Sequence, residues 1–155
     1  MIRSRRIVIL FVLMLLASSG QIAIASINGK TGQSTLGCTC HSGGSGQVTP
    51  SLSGLPSAGW EAGTTYSLSI GGSGTPSGTK GGFNLDSNKG SFSNAGTNAK
   101  LQNDEVTHSN RNSRSWTVDW TAPSTGSGTA TFTLAVNFVN GNGATSGDGW
   151  GTDSW

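Results

Sequence analysis

Charge is scarce in this 155-residue chain: only 10% of residues are charged and 33% are hydrophobic, both low for a soluble domain. So little Leu, Ala, Glu and Lys argues against a helix bundle. Long amphipathic helical patterns are also missing, which excludes a doubly wound nucleotide-binding fold. The few cations are scattered, and no basic patch remains once the N-terminus is set aside. Nucleic-acid binding, which needs several phosphate-neutralising side chains close together, is therefore excluded. No G-x-S-x-G elbow, no phosphate-loop pattern in Gly78 to Gly82 and no N-x-S/T sequon occurs, so a hydrolase triad, a nucleotide site and N-glycosylation lack support. Cysteine is limited to Cys38 and Cys40, and both methionines fall within the first 25 residues.

What is present starts with Arg3, Arg5 and Arg6, an unbroken apolar run from Ile7 to Ala17, and Ala23-Ile24-Ala25. A basic start, a short apolar stretch and an A-x-A site form a secretory signal peptide over 1–25, cleaved after Ala25. The run is short for a bilayer span, and no second apolar stretch of that length follows, so the mature chain has no transmembrane segment. Ser4-Arg5-Arg6 also resembles a twin-arginine signal, although the Leu/Ile-rich run favours general secretion. Removing the three leader arginines leaves six basic against seven acidic side chains, a net charge of about −1.

The whole sequence is rich in glycine, 25 residues in all, and holds five Trp and five Phe, too many aromatics for a disordered tail. Residues 26–48 read as an irregular, Cys- and His-containing segment. Residues 49–155 alternate apolar and polar positions in short runs. Tyr66, Leu68 and Ile70 share one face, as do Phe83 and Leu85, then Trp116, Val118 and Trp120, then Ala130, Phe132, Leu134, Val136 and Phe138. Period two with one polar face marks half-buried antiparallel strands. Turn residues separate them at Gly71–Gly74, Asn88-Lys89-Gly90, Pro123–Gly126 and Asn140–Gly143. Strands near Ser51–Leu55, Ser91–Ser93 and Glu105–Ser109 bring the count to about seven. The expected fold is all-β, an immunoglobulin-like antiparallel β-sandwich, with a small closed barrel second.

Gly81-Gly82-Phe83-Asn84-Leu85, Val106-Thr107-His108-Ser109, Trp120-Thr121-Ala122-Pro123 and Gly128 to Phe138 resemble, in this order, the Reeler (reelin N-terminal-like) domain. The resemblance covers about residues 28–150 and is nearest to prokaryotic exported "choice-of-anchor" domains, which often open with a CHSG-like segment. It implies an immunoglobulin-like sandwich displayed outside the cell, generally without a known reaction. It also implies a C-terminal anchor or sorting signal, and none precedes Trp155, which leaves free secretion or a longer parent chain.

One cluster could carry chemistry: Cys38-Thr39-Cys40-His41. Domains similar to this one frequently show C-x-x-C-H here, the signature of covalent c-type haem attachment with the His as axial ligand. A single residue between the thiols departs from that spacing, and with both Met in the leader, His108 is the one other His for the sixth position. A strained Cys38–Cys40 disulfide, or plain thiols, is a second reading. Zinc or copper held by Cys38, Cys40, His41 and His108 is a third. His108 is otherwise a strand-edge histidine, with Glu105 expected on the opposite face. Asn140, Asn142, Asp148 and Asp153 are oxygen donors in a Gly-rich loop, off the spacing of a calcium hand, and the simple reading is a long hairpin loop. Trp150 and Trp155 either contact partners or, for Trp150, cover the open end of the sandwich. The function these features favour is a non-catalytic secreted or cell-surface module that binds an extracellular protein or glycan. The alternative is a small exported haem- or metal-binding electron-transfer protein.

Overall fold

A computed structural model describes residues 26–155 except Gly43; the expected signal peptide, residues 1–25, lies outside the described residues. Nine strands and no helix are found among them: β1 (Val48–Ser53), β2 (Thr65–Gly74), β3 (Gly81–Ser87), β4 (Ser91–Ser93), β5 (Ala99–Gln102), β6 (Glu105–His108), β7 (Trp116–Thr121), β8 (Phe132–Phe138) and β9 (Gly149–Ser154). All strand-to-strand pairings are antiparallel, in a four-stranded sheet β1-β2-β7-β4 and a five-stranded sheet β5-β6-β3-β8-β9. The two sheets form the expected sandwich.

Alternation sets the core. Leu68 and Ile70 of β2, Trp116, Val118 and Trp120 of β7, Phe83 and Leu85 of β3, and Leu134 and Val136 of β8 are buried between the layers. Each such side chain contributes about 1.5–3 kcal/mol through burial. Phe83 lies against Trp116 with ring centroids 4.6 Å apart, and Trp120 meets Phe132 edge-on at 4.9 Å. Tyr66 packs at the margin, half-buried, its hydroxyl accepting from Glu61 N at 2.9 Å. Trp120 Nε1 donates to Lys89 O at 2.9 Å.

Two strands exceed the expected seven. β5 joins β6 through Asn103 and Asp104, with φ of 52° and 63°. Positive φ at both central positions is the type I′ hairpin turn, which Asn and Asp tolerate without glycine. β9 occupies the stretch that reads as loop and tail, pairing with β8 from Phe138↔Gly149 to Thr133↔Ser154. Its glycines mark a close crossing, since a Cβ on Gly151 would collide with Val48 O of β1. β2 likewise runs through Gly71–Gly74, where β1 pairs with it, instead of turning there.

The outer face of the five-stranded sheet is not open to solvent. Ser26 to Gln47 lies across it, so Gly82 and Asn84 of β3, Thr107 of β6 and Ala135 and Asn137 of β8 are buried although they point away from the core. Gln33 N donates to Asn84 Oδ1 at 2.7 Å, Gly32 N to Glu105 Oε2 at 2.9 Å, and Thr133 Oγ1 to Ser34 Oγ at 3.0 Å. Close approach is possible because the facing residues are small: a Cβ on Gly37 would fall inside the Trp150 ring. Trp150 therefore holds the N-terminal segment and does not cover the end of the sandwich.

Candidate functional site

The N-terminal segment and the sheet enclose a cavity of about 170 Å³, lined by Cys38, Cys40, His41, His108, Asn137 and Asp148 among others. The four residues singled out as cofactor or metal ligands thus reach one cavity from two parts of the chain, the N-terminal segment and β6. They do not converge on a point: among the described residues no three His, Cys, Asp or Glu side chains are grouped to hold one metal ion.

His41 explains part of this. Its Nδ1–H donates to Asp148 Oδ2 at 2.6 Å, and its Nε2 accepts from Asn137 Nδ2 at 3.1 Å. Asp148 is 2% exposed and also accepts from Asn140 N at 2.9 Å. A carboxylate behind Nδ1 is the usual support of a ligating histidine, but here Nε2 is turned onto an amide. A haem iron or metal ion at Nε2 would have to displace Asn137, so the donor set as it stands does not fit either group. The cysteines are both free and half-buried. Burial, and then the neighbouring Cys40, push the Cys38 thiol up to about 12. Cys40 Sγ lies 3.7 Å from Lys30 Nζ.

His108 closes the other end. Its ring occupies the space that a side chain at position 82 would need, a Cβ on Gly82 falling 2.6 Å from Cε1. Nδ1 accepts from Phe83 N at 3.1 Å and Nε2–H donates to Ser26 O at 3.1 Å. Glu105 is engaged with Gly32 and Asn84 instead. Burial holds the His108 imidazole below its usual 6.5, against the opposing pull of the Phe83 and Ser26 carbonyls. A lowered folded-state value means that the unfolded chain binds more protons as pH falls through 6.5, so this contribution to stability is full above that value and lost below it. Urea midpoints between about pH 5 and 8 should show the loss, and His108→Gln should flatten it.

The loop oxygens are similarly committed. Asn140 Oδ1 accepts from Asn142 N and Asn142 Oδ1 from Ala144 N, at 2.9 and 2.8 Å, while Asp153 lies on the exposed C-terminal half of β9. They order the hairpin and do not gather around a cation. Asn137, Asn84 and the His41–Asp148 pair were not evident from the sequence. The available signal was that the outward positions of β3 and β8 carry Gly82, Asn84, Ala135 and Asn137 in place of the Lys and Glu of a solvated face.

No family model matches the chain, and no curated protein matches it. Solved structures do. A crystal structure of the human F-spondin reeler domain superposes with a TM-score of 0.50 at 19% identity, covering 72% of this chain and 89% of that one. The Reelin-N domain of F-spondin gives 0.50 at 17% identity, covering 82% and 90%. At such identities the likeness establishes architecture, and the described chain has the fold of a Reeler domain.

Proposed function

We propose that this chain is an exported, non-catalytic module, akin to the prokaryotic choice-of-anchor domains, that binds an extracellular or cell-surface protein or glycan. The observation that carries the reading is the Reeler-like sandwich behind a leader-type N-terminus. Exposed apolar side chains on the N-terminal segment and edge strand β5, Ile27, Leu36 and Leu101, are contact points of the kind that binding surfaces use. Immobilised mature chain, screened against extracellular proteins and glycans, should bind saturably and leave its ligand chemically unchanged. Leu36→Asp with Leu101→Asp should weaken that binding while leaving the fold intact. Turnover of a bound molecule would contradict the reading. The alternative, an exported electron-transfer protein with haem, copper or zinc at Cys38, Cys40, His41 and His108, has their shared cavity in its favour and the engagement of His41 Nε2 against it.

A further inference from the structure

We propose that the cavity between the N-terminal segment and the five-stranded sheet binds a small carboxylate whose apolar body is about the size of one ring, with the body inside and the carboxylate among Lys30, Lys80 and Arg111. These cations are far apart in sequence, and the fold gathers them. Lys30 and Arg111 line the cavity. Lys80 Nζ lies 3.6 Å from the point that a Cβ on Gly141, another lining residue, would occupy. Each is fixed through its backbone: Lys30 N donates to Thr107 Oγ1 at 3.2 Å, Arg111 O accepts from Gly81 N at 3.0 Å, and Lys80 O accepts from Val139 N at 3.1 Å.

Their side chains have no carboxylate partner. Among the described residues the one salt bridge is His41–Asp148. Of the seven acidic residues only Asp148 lines the cavity, covered and with its oxygens taken by His41 and Asn140. The cavity is thus a patch of positive field in a mature chain of about −1 net charge, and it selects an anion. The interior selects the rest. Both ring nitrogens of His41 and of His108 are already hydrogen-bonded. Gly141 and Gly143 bring no side chain, and Ile27, Val139 and Ala144 bring only carbon. Ile27 is 60% exposed, an apolar side chain that a ligand would cover. Such a lining favours an apolar group over a sugar, whose hydroxyls would lose water without finding partners. A cavity of about 150 Å³ admits benzene, so one of about 170 Å³ suits a single ring with its carboxylate at the mouth.

The test is calorimetric titration of the mature chain with benzoate, benzyl alcohol and inorganic phosphate. Benzoate should bind at one site about tenfold more tightly than the neutral alcohol, as two or three part-exposed charge pairs allow, and molar salt should erase most of that difference. Lys30→Met with Arg111→Met should bring benzoate to the level of the alcohol and leave the alcohol unchanged. In proton–nitrogen NMR spectra the amides of Ile27, Gly82, Gly141 and Ala144 should shift with benzoate, and those of β4 should not. Each of the following would overturn the proposal: no saturable benzoate binding, equal affinity for benzoate and the alcohol, phosphate bound as tightly as benzoate, an unaffected double variant, or shifts centred elsewhere.

Discussion

Leu134→Asp yields a chain that does not fold. Leu134 is 0% exposed, at the centre of β8, paired with Leu85 of β3 and facing the opposite sheet. The substitution removes the buried side chain, worth about 2–5 kcal/mol, and adds an ionised carboxylate with no partner, a further penalty of several kcal/mol. Together these are comparable to the roughly 5–15 kcal/mol that holds a domain of this size together. Ser69→Asp is the control. Ser69 is on β2, next in sequence to Leu68 but on the exposed face, and the change there should shift stability by no more than about 0.5 kcal/mol. Circular dichroism and urea titration of the two variants check the strand phase directly. A cooperatively folding Leu134→Asp protein would mean that β8 faces the other way.

Asp148→Ala should release the N-terminal segment while leaving the sandwich folded. Asp148 joins three parts of the chain: it accepts from His41 of the segment and from Asn140 of the β8–β9 loop, and through His41 it fixes Asn137 of β8. With the carboxylate gone, His41 Nδ1–H faces an apolar void, at about 1–3 kcal/mol for the unsatisfied group. Hydrogen exchange should then quicken across residues 26–47, while β3, β7 and β8 keep their protection. Uniform loss across both sheets would show that the segment and sandwich unfold as one unit. Unchanged exchange would show that the pair anchors nothing.

The contrast between these two sites also measures what the sequence made legible. β2, β3, β7 and β8 were readable because each alternates large apolar with polar residues over five or more positions, a period that only a strand can bury on one side. β5 lacked that contrast, with the exposed Leu101 as its one large apolar residue, and its turn is Asn103-Asp104, without the usual glycine. β9 carries Gly149 and Gly151 where a core strand would carry side chains, and is ordered by pairing with β8. The hidden half of the site was illegible for a related reason. Thr107, Asn84 and Asn137 look like solvent-facing polar residues until the N-terminal segment is laid over them, a long-range contact that periodicity does not encode. Asp148 suggested a loop cation ligand, whereas its partner is a histidine 107 residues away. The Cys/His cluster stood out because it is dense, but its neighbours come from the far end of the chain.

The most direct test of the account is the intact mass and visible spectrum of the chain expressed with its own leader in a host that matures c-type cytochromes. The account predicts a colourless product beginning at Ser26, at the bare polypeptide mass or two hydrogens lighter. A haem-sized increment with a Soret band would contradict it and make Cys38, Cys40 and His41 the attachment site of an electron-transfer protein.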